Sequence, residues 1–338
     1  MKCESCFGPE RVAQCGVLAM LFELSTSPKP GNVDRCHDFS DIGFQHFLTS
    51  AVSAYPVFYR AAEERGTARA GQLILEGVRA WQTWDLKSNT HFGSLVLMIP
   101  IAMAAGNMGR MDESDDVDDD ERGDECGHVA GEGLKNELKS EMDDERKNGH
   151  KSDLYCDLQS GLAEVLNGTT VDDSIDFYRA FGLAQARVAD VDSFSLNDMG
   201  ARDWQSALRE SNKSLMELMR LSAGHDLIAR EWSTGYERTF RLALRLAEQI
   251  DRWGYNDGIV RTFLEALAEV PDSLISAKFG RDASEEVSRL AGEALMDCTL
   301  DRARVLDRDL LERDINPGST ADLIAASLFI SLLMGLRF

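Results

Sequence analysis

Several features that would decide a fold or an activity at once are scarce in this sequence. Its 338 residues include 7 prolines, and aromatic residues make up 8%. Alternating runs rich in Val, Ile and Thr do not occur, so a sheet or barrel is excluded as the main architecture. There is no βαβ rhythm, no Gly-x-Gly-x-x-Gly and no P-loop, which removes the familiar glycine-rich phosphate cradles. Cations are outnumbered, with 36 Lys and Arg against 58 Asp and Glu and a net charge of −22. Such a chain repels a nucleic-acid backbone, so sequence-independent nucleic-acid binding is not expected. Any phosphate must be held locally, by a few placed cations, by backbone N–H groups or by a bridging metal.

Long apolar runs are also few. Residues 94–105 are too short to span a bilayer. Residues 321–336 are borderline, but Ser327, Ser331 and Gly335 recur at i+4 on one face, as in a buried helix. No membrane partner is expected. The 7 cysteines are odd in number and irregular in spacing, and residues 1–10 are polar and charged, unlike a secretory signal. This argues for reduced thiols and a cytoplasmic location. Cys3 and Cys6 form a CxxC without a second half at matching spacing, which also reads as a plain N-terminal turn.

What the sequence does contain is helical periodicity. Apolar residues at helical spacing predict helices over 11–26, 41–65 with a kink or break at Pro56, 68–84, 94–105, 154–166 and 169–190. Further helices are predicted over 200–222, within 223–253, and over 257–270, 284–296 and 299–313. A last one starts at Ser319 or Thr320. The fold class is all-α, a single large helical bundle. Residues 107–152 differ in kind. They are rich in Asp, Glu, Gly and Lys and hold no aromatic residue, so they cannot bury enough apolar surface to offset ordering. They are expected to form an acidic, disordered or loosely helical insert between two halves, 1–106 and 153–338, of one domain.

Five segments could carry chemistry. Glu23 precedes Ser27-Pro28-Lys29-Pro30-Gly31-Asn32-Val33-Asp34, in which two prolines hold Lys29 on a stiff loop. One cation and one carboxylate on such a loop suit a magnesium nucleotide, although the residues also make an ordinary Pro-Gly turn. Asp34 to Asp41, through Arg35, His37 and Asp38, reads as a divalent-metal shell or as a solvated acidic helix start. Ser88-Asn89-Thr90-His91-Phe92-Gly93 caps an apolar helix, where free N–H groups can take an anion and burial would keep His91 neutral. Asp272 to Gly280 is expected to form a short helix with Asp272 and Lys278 at opposite ends, which also reads as a plain surface helix. Asn316-Pro317-Gly318-Ser319-Thr320-Ala321-Asp322 combines a tight turn, hydroxyls and a first-turn carboxylate, and reads as a capping box or an anion cradle.

In this order the segments resemble the triphosphoribosyl-dephospho-CoA synthase family. The resemblance rests on Pro28–Asp34, Asn89–Gly93 and Asn316–Asp322, and spans nearly the whole chain outside the insert. It implies an all-helical, ATP-dependent transferase that moves the triphosphoribosyl part of ATP onto dephospho-CoA or a related acceptor and releases adenine. It implies Mg²⁺ with ATP as substrate. By position it makes Lys29 the triphosphate contact, with Asn89, Thr90, Lys278, Asn316 and Ser319 as further substrate contacts. Asp34, His91 and Asp272 become the expected catalytic groups, and Asp34, Asp41 and Asp322 the expected metal ligands. The sequence departs from the family pattern at Phe92, where a Lys is common, at Asn32, where Leu is common, at Thr320, in a shortened 35–40 stretch and in the reduced motif near Asp272. The middle, 172–237, fits the bacterial members poorly, which suggests a divergent, archaeal branch. A nucleotide-binding helical protein without transfer activity, and a helical interaction protein working through its acidic insert, are the alternatives. A homodimer is compatible with the sequence and not required by it.

Overall fold

A computed structural model of the chain describes residues 7–39, 42–64, 66–86, 89–108, 147–185 and 204–337. Within them every regular element is an α-helix and no strand occurs. In chain order the helices are α1 (Pro9–Ser25), α2 (Phe44–Ser53), α3 (Tyr55–Glu63), α4 (Ala70–Gln82), α5 (Phe92–Met108), α6 (Lys147–Asn167), α7 (Val171–Ala184) and α8 (Trp204–Ser211). They continue with α9 (Leu215–Ser222), α10 (Leu227–Thr234), α11 (Glu237–Trp253), α12 (Tyr255–Glu269), α13 (Ser273–Phe279), α14 (Arg281–Leu295), α15 (Asp301–Glu312) and α16 (Gly318–Leu333).

The two most apolar helices, α5 and α16, lie at the centre. They pack on each other, and α1 and α10 pack on both. Helices α3, α4 and α6 cover the rest of α5, while α11 and α12 cover α16. Residues from both sides of the insert therefore share one core, from Phe7 to Met334. A helix apolar on all faces suits such a central position. Among the described residues no helix is long and apolar enough to cross a membrane.

The polar residues inside this centre have definite tasks. Ser327 and Ser331 donate to the Thr239 and Ala243 carbonyls at 3.0 and 2.9 Å, so their i+4 stripe binds α16 to the backbone of α11. Pro100 lies inside α5 and has no N–H, which frees the carbonyl of Val96 one turn earlier. The Trp232 indole N–H fills that vacancy at 3.2 Å. Trp232→Phe should leave the carbonyl with only the longer bond from the Tyr236 hydroxyl, at 3.5 Å, and cost about 1 kcal/mol. Chemical denaturation would measure it, and an unchanged midpoint would contradict this account.

The expected breaks hold in outline and shift in detail. Pro56 separates α2 from α3 by sitting in the first turn of α3, where a missing N–H is harmless. The single helix expected over 200–222 is two helices, because Ser214 caps α9 and Glu217 reaches back to it. The long helix expected within 223–253 is likewise divided, by Gly235 and Tyr236, both at positive φ. Helix α6 begins at Lys147, inside the stretch expected to be irregular. The rest of that insert, 109–146, lies outside the described residues, as do Cys3, Cys6 and Asp41.

Candidate active site

The Pro-Lys-Pro-Gly segment connects α1 to α2 and is held from below by α15. Gly31 sits at φ 73°, and a Cβ there would come within 2.3 Å of the Ile315 carbonyl oxygen, so only glycine fits. Its N–H donates to Asp307 Oδ1 at 3.0 Å. Asn256 grips the other end, donating to the Ser27 carbonyl at 2.7 Å. Lys29 is fully buried and its ammonium pairs with Glu23 on α1. Burial raises the Glu23 carboxyl and the Lys29 charge opposes that rise.

Beside this loop an open cavity encloses about 1300 Å³, its mouth included. Its polar side is built from the N-terminal ends of α5 and α16 together with Glu23, Asn32 and Asp226. Its apolar side includes Phe92, Phe177, Phe181, Leu215 and Met219. Phe92 meets Phe177 and Phe181 at ring-centre distances of 5.6 and 5.8 Å. Phe92 thus supports an aromatic wall against α7.

On the polar side, Asn32 Nδ2, Thr90 Oγ1, His91 Nε2 and Asn316 Oδ1 are buried without a hydrogen-bond partner. Each orphaned group costs about 1–3 kcal/mol unless something fills it. Four on one wall mark a place prepared for a polar ligand. His91 is the most defined of them. Ser50 Oγ donates to the Phe47 carbonyl at 3.1 Å and lies 2.6 Å from His91 Nδ1. A hydroxyl proton directed at Phe47 would place the ring hydrogen on Nδ1 and leave Nε2 a free lone pair. Burial, and then the Lys29 charge, hold the imidazole at about 3, so it is neutral.

Asp322 has the opposite character. Burial raises its carboxyl to about 8, against the pull of the Ser94 hydrogen bond and with the help of the Glu23 charge. Ser94 Oγ donates to Oδ1 at 2.5 Å, which leaves the proton to Oδ2. Oδ2 lies 2.1 Å from where a Cβ on Gly93 would stand, so glycine at 93 is what admits this carboxyl. Gly93→Ala should displace it and lower turnover about 10²-fold, in line with a misplacement of about 1 Å. Activity equal to wild type in a folded variant would contradict that.

Of the residues expected from sequence, Asn89, Thr90, His91, Asn316, Ser319 and Asp322 line the cavity. Lys29, Asp34, Asp272 and Lys278 do not. Lys29 spends its charge on Glu23 rather than facing the cavity. Asp272, expected among the catalytic groups, uses both carboxylate oxygens elsewhere. It accepts from the N–H groups of Leu274 and Ile275 and from the N–H and hydroxyl of Thr320, knitting the start of α13 to the start of α16. Lys278 is exposed and lies 3.4 Å from Asp314. The expected metal set of Asp34, Asp41 and Asp322 includes a residue outside the described ones; among the described residues the grouping of three close enough to hold an ion is Asp34, His37 and Asp307. The sequence reading missed Ser50, Asp226 and the aromatic face of α7. Only the last left a signal, as Phe177 and Phe181 at i+4.

A neutral imidazole and a protonated carboxyl lining one cavity are acid–base machinery, so fold and site together describe a helical enzyme. Residues 9–337 match the family described as ATP:dephospho-CoA triphosphoribosyl transferase, CitG, and the chain belongs to that family. It is a transferase carrying out ATP-dependent triphosphoribosyl transfer to dephospho-CoA. The fold is similar to a crystal structure from Archaeoglobus fulgidus described as a triphosphoribosyl-dephospho-CoA synthase, at 24% identity and a TM-score of 0.59. The similarity covers 86% of this chain and all of that one. No curated protein sequence matches the chain.

Proposed function

We propose that His91 and Asp322 carry the two proton transfers of this reaction in the cavity between α5 and α16. The observation behind this is their opposite protonation on one wall: an imidazole held at about 3 with Nε2 free, and a carboxyl held at about 8. His91 Nε2 takes the proton from the attacking ribose hydroxyl of the acceptor. That oxygen forms a bond to the anomeric carbon of ATP as the bond from that carbon to adenine breaks. Asp322 Oδ2 delivers a proton to the departing adenine. Adenine is a poor leaving group as an anion, so an acid at this point lowers the barrier directly.

The cavity wall contains Glu23, Asp226 and Asp322 and no lysine or arginine. A triphosphate entering this wall is best matched as its Mg²⁺ complex, which supplies the positive charge that the side chains withhold. Within the wall, Asn32, Thr90, Asn316 and Ser319 supply hydrogen bonds, and the N-terminal ends of α5 and α16 add their favourable dipoles. The aromatic side formed by Phe92, Phe177 and Phe181 takes an uncharged part of a substrate, either adenine or the pantetheine arm of the acceptor. The enzyme is proposed to work in the cytoplasm on these small molecules, without nucleic acid or membrane.

The pH profile of adenine release tests the assignment. The active form of Asp322 is protonated, so kcat/KM should be level below pH 8 and fall as pH rises through about 8. Asp322→Asn should abolish that limb and leave a low, level rate. A wild-type profile with no fall above pH 8, or an Asp322→Asn profile that keeps one, would overturn the acid role.

A further inference from the structure

We propose a second site, for a divalent transition-metal ion of the Mn²⁺ or Zn²⁺ class, formed by Asp34, His37 and Asp307, none of which is among the residues lining the cavity. One ligand atom from each of these residues lies within 4.8 Å of the others. His37 Nδ1 is 3.5 Å from Asp34 Oδ1 and 3.2 Å from Asp307 Oδ2, yet it makes no hydrogen bond and is sealed from solvent. Asp34 is 1% exposed, and its Oδ2 is buried with no partner at all. Two carboxylates in a buried place repel each other, and an unfilled Asp34 oxygen adds a desolvation cost. A cation bound by all three groups removes both penalties.

The backbone has already oriented the set. Asp307 gives one oxygen to the Gly31 N–H and presents Oδ2 to His37. The Cys36 N–H donates to Asp34 Oδ1 at 2.7 Å. These are the supporting contacts that metal-binding carboxylates ordinarily have. Ligands about 2.1 Å from an ion in octahedral arrangement stand roughly 3 Å apart at neighbouring corners, so a modest contraction of the cluster seats one. An imidazole among two carboxylates favours Mn²⁺ or Zn²⁺ over Mg²⁺, which prefers oxygen alone. None of the three residues lines the cavity, which separates this ion from one that arrives with ATP. Asp307 belongs to α15, while Asp34 and His37 follow the loop directly. The ion fastens the loop to α15 and so steadies Asn32 and Val33, which do line the cavity.

Mn²⁺ titration of the full chain without nucleotide, followed by the loss of the free-ion electron paramagnetic resonance signal, tests this. The wild-type chain should bind one Mn²⁺ and unfold at a higher temperature with it. His37→Ala and Asp307→Asn should each weaken binding at least about tenfold, whereas Asp322→Asn, in the cavity, should bind as wild type. Should Asp307→Asn not fold, His37→Ala decides alone, since that side chain is partly exposed. No Mn²⁺ bound by the wild-type chain, unaltered affinity in His37→Ala, or loss of binding in Asp322→Asn would each overturn the site. None of these readings depends on adenine release, so failure here leaves the roles of His91 and Asp322 untouched.

Discussion

Replacement of His91 by alanine is expected to slow adenine release by about 10²–10⁴-fold, the usual contribution of a positioned base, while Mg²⁺-ATP still binds. The imidazole is 2% exposed and packs edge-on against Phe47 at 4.9 Å, so its orientation is fixed by packing as well as by Ser50. Its low proton affinity keeps it available as a base throughout the physiological range. Ser50→Ala should produce a smaller loss, because the ring keeps its packing but loses the bond that sets its tautomer. Equilibrium nucleotide binding and single-turnover release would separate the effects. A His91→Ala enzyme that turns over at the wild-type rate would remove His91 from the mechanism.

Lys29→Met is expected to destabilise the fold by about 3–5 kcal/mol, as removal of one partner from a buried ion pair does. Glu23 would be left charged or forced to take up a proton in a site that already disfavours its charge. Glu23→Leu together with Lys29→Met should recover most of the loss, because the pair's net contribution is far smaller than the cost of breaking it. Denaturant unfolding of the three variants would measure this. An undiminished stability in Lys29→Met would mean that the pair is not buried as described. The stability contributed by protonated Asp322 has its own pH signature. It is fully present below the ordinary carboxyl value of 3.8 and is lost as pH rises through about 8.

Much of the candidate site was legible as segments and little of it as geometry. The Asn89–Gly93 and Asn316–Asp322 motifs stand out because each opens an apolar helix with capping residues, a local pattern visible in sequence. That these two helix starts meet across one cavity depends on α5 packing against α16, a contact between residues more than two hundred positions apart. Charge made Lys29 look like a phosphate ligand. Its partner Glu23 is six residues away, close enough to suspect, but only burial of both decides that the ammonium is spent on the carboxylate. Asp272 is the mirror case: an acidic residue before a short helix is a natural cap, and its second oxygen found Thr320 through tertiary contact alone.

By itself the sequence determined the helical class, the breaks at Pro28 and Pro56, the apolar character of α5 and α16, and the family motifs, because each of these is a matter of local propensity, periodicity or pattern. Tertiary structure alone decided which polar groups are satisfied and which are left waiting. Protonation followed from that: a carboxyl is raised or an imidazole lowered by what surrounds it in space. His91 and Asp322 are ordinary titratable residues in the chain, and the packing of α5 on α16 makes one a candidate base and the other a candidate acid.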